Sequence, residues 1–508
     1  MKRIQTFNQL IGSRRFFQFI LIFFIFEATW IAFSAAYPQA FDESFHFGLI
    51  KLYSHYWLPF LTNQPPHSNV YGAVTRDPSY LYHYLMSFPY RVIALFVHSK
   101  IGQVILLRLI NVAIFAYGIM LLRRVLLRVK LSPQLVNVSL FLFVLIPVVP
   151  QLAGQINYDN TIIPLVAAAC LLAFDAIDQI RNKRPSTRTL LMLFILSVFG
   201  CLVKYEFMPV SAAIFLFLLY SAHHSFRGNI GALFTKLKAD WHDQSRWMQV
   251  ILVSLVVIST GMLVQRDGVN LVKYHTFSPN CSSVLSVNAC KAYTVWDHDY
   301  KSHKLVVEKV NKVNSNPLYY VSEWIYWLWY RLFFAINGPS SNYKNYPPLP
   351  LPSAAFIVIG LTGLAAAIKW RRRIFRNNPY IMLFGIIAIF YLVALFAEGY
   401  LTYEYTDVLE LMNGRYLLPI LPLAAAIIGS ALSIALRKSP RLKVVIAIGA
   451  IMLFLQGGGV LTFIARSDSS WDFNNPTVVK VNNVARHITN PILLNGKSHY
   501  STPLWFFN

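Results

Sequence analysis

The stretch "FDESFHFG" at residues 41–48 sets two carboxylates and an imidazole, Asp42, Glu43 and His46, close together in the chain. Carboxylates and imidazoles are the side chains that most often serve as general acids and bases, so their grouping suits that work. On a helix over 41–57, His46 lies four residues from Asp42 and three from Glu43, and all three share a face. Asp42 would equally serve as the N-cap of that helix, with Glu43 favoured in its first turn by the helix dipole. Other ionisable residues stand at the ends of apolar runs: Asp159, Glu206, Glu398 and Glu404, with Arg76, Lys204 and Arg415. Charges at a membrane boundary are costly when they face lipid and usually turn towards an interior or a cavity. Drawn from several helices on one face, they point to a shared polar pocket, although interfacial solvation explains each one singly.

The elements that must position these residues are apolar helices. Of 508 residues, 56% are hydrophobic and only 13% charged, against about a quarter charged in soluble proteins. Apolar runs of about 20 residues recur along the chain, which predicts an all-α, polytopic helical membrane protein. Spans are expected near 16–36, 103–122, 135–154, 160–178, 189–203, 207–222, 248–265, 352–369, 380–398, 416–436 and 443–464, about 11 in all. The basic clusters "RRVLLRVK", "RNKRPSTR", "FTKLK", "KWRRRIFR" and "RKSPRLK" then fall on the N-terminal, cytoplasmic side, as the positive-inside rule requires. Topology thus accounts for the net charge of +24, and no nucleic-acid partner is expected. Two further apolar stretches, 80–97 and 319–336, would reverse that assignment if they crossed. Rich in Tyr and Trp, they are read as helices lying along the outer interface.

The same parity puts a first outer loop at 37–102, a long outer loop at 266–351 and a tail at 465–508 on the extracytoplasmic side of a membrane domain spanning 1–464. The first apolar run, which contains Glu27 and Trp30, is read as an uncleaved helix rather than a signal peptide. Cys170 and Cys201 lie inside apolar runs. Cys281 and Cys290 share a polar loop and are placed to form a disulfide if that loop is extracytoplasmic.

The "DE…HFG" pattern resembles the acidic motif in the first outer loop of protein O-mannosyltransferases, with one extra residue before the histidine. The setting resembles the GT-C superfamily of membrane glycosyltransferases, which also includes aminoarabinose transferases. "LLRLINV" around Arg108, "INYDN" around Asp159 and "NGRYLLPILP" around Arg415 look like recurring pieces of such enzymes. Pro65 and Pro66 fall where mannosyltransferases have His-Pro-Pro, with Gln64 replacing the histidine. The likeness covers about the first 220 residues and the GRYLLP region; 266–351 and the tail have no counterpart.

The resemblance implies a cell-membrane glycosyltransferase that moves a sugar from a polyprenyl-phosphate donor to a hydroxyl of a protein, lipid or glycan acceptor at the outer face. Asp42 is then the expected general base, with Glu43 beside it, and His46, Asp159, Glu206 and Glu398 orient the acceptor or the base. Arg415 is the first choice for the departing phosphate, since a guanidinium grips phosphate oxygens bidentately, with Lys204 and Arg76 as alternatives. Arg108 either joins that work or pairs with Asp159 to hold helices together. Some members of the superfamily use a carboxylate-bound divalent metal and others only Arg and Lys. Asp42, Glu43 and His46 have ligand chemistry, as do Asp297, His298, Asp299 and His303 in "WDHDYKSH", and no metal is assigned. The rival readings are a lipid-linked glycan transporter or flippase, for which midplane charges and pseudo-repeats would speak, a polysaccharide polymerase or ligase, and an inactive scaffold.

Overall fold

The computed structural model describes residues 8–308, 316–333, 338, 350–376, 378–455, 458–467 and 469–493. Among them the regular structure is helical, and the sole departure is an isolated bridge between Ala35 and Asp472. Among the described residues, six helices are long and apolar enough to cross a membrane: Arg14–Ser34, Lys100–Arg128, Asp159–Arg181, Tyr205–Ser225, Arg246–Tyr274 and Pro379–Thr406. Shorter apolar helices cover Pro133–Val144, Thr187–Val203, Ile357–Lys369 and Leu421–Ala435.

Two expected spans are broken. The run 135–154 gives Pro133–Val144 and Val148–Ala153, because Pro147 lacks the N–H needed to carry one helix through. The run 443–464 divides into Pro440–Leu455 and Gly459–Arg466. There Gly459 turns the chain at φ 59°, and the buried Glu27 carboxylate accepts from Val460 N at 3.0 Å, closing the N-terminus of the second piece. The helix from Pro379 runs past its expected end at 398 to Thr406.

The elements that build the site are α1 (Arg14–Ser34), α2 (Glu43–Tyr53), α3 (Leu81–Phe96), α4 (Lys100–Arg128), α5 (Asp159–Arg181), α6 (Thr187–Val203), α7 (Thr294–Val307), α8 (Pro317–Phe333), α9 (Pro379–Thr406) and α10 (Pro476–Leu493). Serines cap α1 and α4: Ser13 Oγ accepts from Phe16 N at 3.1 Å and Ser99 Oγ from Gly102 N at 3.0 Å. The stretches 80–97 and 319–336 form α3 and α8; residues 334–336 of the second lie outside the described residues.

Both ends of the bundle are cross-tied. At one end Arg128 Nη2, closing α4, lies 2.9 Å from Asp175 and 2.9 Å from Asp178 in the last turns of α5. Asn378, capping α9, donates to Val129 O at 2.8 Å. The residues considered below gather at the opposite end of α5. There the described part of the tail docks on α1: Ala36 N donates to Trp471 O at 2.7 Å and Phe473 N to Ser34 O at 2.9 Å. Arg486 of α10 grips Asp472 through both terminal nitrogens at 2.7 and 2.8 Å. Residues 494–508 of the tail lie outside the described residues. Cys281 and Cys290 form a disulfide, while Cys170 and Cys201 are free and buried.

Candidate functional site

Asp42 opens α2 from a left-handed conformation, φ 66°, and makes no side-chain capping bond, although it occupies the N-cap position. Its side chain is 59% exposed and turns to Arg415, whose Nη2 lies 3.4 Å from Oδ2. Its neighbour Glu43 has the opposite environment. Fully buried, it accepts from Arg108 Nε and Nη2 at 2.7 Å each, from Gln39 N at 2.8 Å and from Ile156 N at 3.1 Å. Arg108 spends its remaining donors on the carbonyls of Ala32, Ala35 and Ala36, where α1 ends. Four segments therefore meet on one ion pair, and Arg108 ties helices together through Glu43 rather than through Asp159.

His46 is buried and meets His83 and Tyr158. Its Nδ1 lies 2.9 Å from Nε2 of His83 on α3, and its ring packs 4.6 Å from that of Tyr158. Burial, followed by His83 and the cations Arg415 and Lys204, holds the His46 pKa well below the usual histidine range. Burial pushes His83 down to about 3. Both rings are thus neutral at physiological pH. Gly48, which ends the motif, lies against Tyr71, and a Cβ there would collide with the phenol. That contact seats the 3-10 turn Ser68–Tyr71 on α2.

Asp159 starts α5 and Lys204 follows α6. Lys204 Nζ sits 2.7 Å from Asp159 Oδ1 and 2.7 Å from Glu206 Oε2, with the rings of Tyr158 and Tyr416 each 4.8 Å away. Arg415 is carried by the 3-10 turn Gly414–Leu417. Its Nε lies 3.6 Å from Asp159 Oδ2 and its guanidinium stacks over Phe41 at 4.7 Å. Gly414 is pressed against the backbone of Leu332 in α8, an approach that a Cβ would block, so α8 holds the arginine-bearing turn in place. The guanidinium is buried, yet Nε and Nη1 have no hydrogen-bond partner among the described residues. Asp159, Lys204, Glu206, Tyr391, Arg415 and Tyr416 line one narrow cavity floored by Leu152, Ile162, Phe207 and Val210. It has room for about one water molecule; Asp42 is not part of its lining and reaches it only through Arg415.

No protein-family model matches this chain, and no curated protein matches it. The site rests on its own geometry.

Of the residues singled out in the sequence, Asp42, Asp159, Lys204, Glu206 and Arg415 come together. Glu398 adjoins the group, accepting a hydrogen bond from the Tyr205 hydroxyl. Glu43 and His46 are interior and face other partners. Arg76 is half-buried, does not line the cavity, and donates to Gln265 O at 3.4 Å. Tyr158, Tyr391, Tyr416 and His83 were not anticipated. Tyr391 had a readable signal as a lone phenol inside an apolar run; Tyr158 and Tyr416 stand beside Asp159 and Arg415. Further along the chain, His298 Nδ1 on α7 lies 3.2 Å from Asp299 Oδ1 and 3.6 Å from Glu410 Oε1. Asp297 pairs instead with Lys301, and His303 Nδ1 lies 2.9 Å from Tyr405 O.

Proposed function

We propose that this chain is a membrane glycosyltransferase that moves a sugar from a polyprenyl-phosphate carrier to an acceptor hydroxyl at the extracytoplasmic face. The observation that carries the reading is the buried Arg415 guanidinium, which lines the polar cavity, pairs with the exposed Asp42, and has two nitrogens without hydrogen-bond partners among the described residues. An open guanidinium beside an accessible carboxylate is the pair that transfer from a phosphate carrier calls for. The acceptor hydroxyl attacks the anomeric carbon, and Asp42 takes its proton. The bond from that carbon to the phosphate oxygen breaks, and the electron pair leaves with the phosphate, whose growing charge Arg415 holds. Lys204, already flanked by two carboxylates, fixes the walls. Glu43 positions the segment rather than reacts, because its oxygens are filled by four donors.

The resemblance of "DESFHFG" to the acidic motif of protein O-mannosyltransferases supports the same reading, which carries with it a GT-C-like membrane domain of about 11 spans. The segments bearing Asp42, Asp159, Lys204 and Arg415 all connect on one side in the topology read from the basic clusters, and the contacts among these residues agree with that. The disulfide in the long loop suits an extracytoplasmic compartment.

The test supplies membrane vesicles with a radiolabelled polyprenyl-phosphate sugar. Wild type should transfer label to endogenous acceptors, and Asp42→Asn, inserted at the same level, should be slower by about 10²–10⁴-fold. Equal transfer by the variant would remove Asp42 as the base, and absence of transfer by wild type with every polyprenyl-linked sugar would sink the reading.

A further inference from the structure

A second cluster lies outside the cavity, where α7 meets the segment that follows α9. His298 and Asp299 are adjacent in α7, and Glu410 lies between the end of α9 and the turn that carries Arg415. Their placement does not depend on the cluster itself. The His303 ring stacks on that of Tyr405 with centroids 3.6 Å apart, tying α7 to the last turn of α9. The start of α7 is fixed by Trp296, which donates to Asn280 Oδ1 beside the Cys281–Cys290 disulfide.

The imidazole nitrogen of His298 faces an oxygen of each carboxylate at 3.2 and 3.6 Å. One ligand atom from each of the three residues lies within 4.8 Å of the others. A tetrahedral ion with bonds of about 2.0–2.1 Å needs donors about 3.3–3.4 Å apart, so two of the three edges are already near that length. Among the described residues, neither Asp299 nor Glu410 has a lysine or arginine within ion-pair distance. Two carboxylates facing one imidazole, with no fixed cation between them, are a donor set short of positive charge. The neighbouring acid Asp297 is excluded, since Lys301 already neutralises it.

We propose that His298, Asp299 and Glu410 form a binding site for a divalent transition metal of the zinc class, with water completing the coordination. One nitrogen and two oxygens suit zinc, whereas magnesium and calcium prefer oxygen throughout. The ion clamps α7, and with it the disulfide-bonded loop, to the segment leading into Gly414 and Arg415. Its role is to brace that segment, apart from the reacting atoms. The site does not rest on the transfer reading: a chain without transferase activity would still bind zinc here.

The experiment uses full-length, tag-free protein in detergent, without reductant, because thiols bind zinc and open the disulfide. After chelation and desalting, zinc chloride is titrated, and bound metal and the thermal midpoint are measured. Wild type should retain about one zinc per chain and melt higher with it. His298→Ala and Glu410→Gln should each weaken binding by about tenfold or more, and Asp297→Asn should bind as wild type. The intact disulfide, read by gel mobility, and a single elution peak verify the fold of each variant. The proposal is overturned if wild type holds no more zinc than the His298→Ala/Glu410→Gln double variant. It is equally overturned if Asp297→Asn loses zinc to the same extent, or if equimolar magnesium displaces it.

Discussion

Replacing Glu43 tests whether the conspicuous acidic motif is one functional unit or two residues with separate work. Glu43→Ala leaves the Arg108 guanidinium in a site where both side chains are fully buried. Breaking a buried pair in this one-sided way typically costs about 3–5 kcal/mol. Two backbone donors, Gln39 N and Ile156 N, also lose their acceptor; against this, Arg108 keeps three carbonyl partners on Ala32, Ala35 and Ala36. The expected loss therefore sits near the low end, about 3 kcal/mol. Glu43→Leu combined with Arg108→Met should cost less than either single change, because an apolar pair leaves no uncompensated charge. The assay is SDS-titrated unfolding in mixed micelles, followed by tryptophan fluorescence and read alongside sugar transfer per folded molecule. If Glu43→Ala unfolds at the wild-type midpoint, the ion pair is not what holds these segments. If instead it folds normally and loses transfer as completely as Asp42→Asn, Glu43 belongs to the chemistry and the division drawn here is wrong.

Arg415→Lys keeps the charge but loses the planar fork, and should lower transfer by about 10²-fold with insertion unchanged; wild-type turnover in vesicles would exclude Arg415 as the phosphate ligand. Asp42→Asn should bind the polyprenyl-phosphate donor at least as tightly as wild type while losing turnover, because Asp42 competes with phosphate for Arg415; weaker binding in a donor-competition assay would contradict this. The His46–His83 pair predicts acid sensitivity. Unfolded imidazoles titrate near 6.5, whereas folded His83 stays neutral down to about 3 and His46 is lowered as well. The unfolded chain thus binds more protons, and stability falls as pH drops below about 6.5, by up to roughly 1.4 kcal/mol per pH unit for each histidine. His83→Gln should flatten the melting-temperature profile between pH 6.5 and 5, and an unchanged slope would refute the assignment.

The sequence was most informative where periodicity and chemistry agreed. Apolar runs located the helices, and their interfacial aromatics marked α3 and α8 as separate elements. It was less informative about continuity. The hydropathy of 135–154 does not register that Pro147 breaks the helix, and 380–398 gives no sign that the helix persists to Thr406. Within the site, spacing on α2 put Asp42, Glu43 and His46 on one face, yet one helical turn was enough to send them into three environments. Asp42 meets Arg415, Glu43 meets Arg108 and His46 meets His83. Which cation an acid finds depends on packing between segments far apart in the chain, and local spacing carries no record of it. Arg108 illustrates this: its place inside a span suggested Asp159 as a structural partner, and the packing of α2 and the end of α1 beside it makes that partner Glu43.

The charge balance at the cavity explains why Arg415 rather than Lys204 is the open cation. Asp42, Asp159 and Glu206 bring three carboxylates against Lys204 and Arg415. Lys204 is held at 2.7 Å by two of them, distances typical of charge-assisted hydrogen bonds, and an anion could take it only by expelling both. Arg415 is approached at 3.4 and 3.6 Å, beyond that range, and two of its buried nitrogens have no hydrogen-bond partner among the described residues. On the transfer reading, an arriving phosphate would gain most at Arg415 and would displace only Asp42, the more exposed of its two carboxylate neighbours. Released from the guanidinium, the Asp42 carboxylate is free to face the acceptor hydroxyl. On this reading, donor binding frees the base, and the excess of carboxylates that seems to oppose an anionic substrate helps to time the proton transfer.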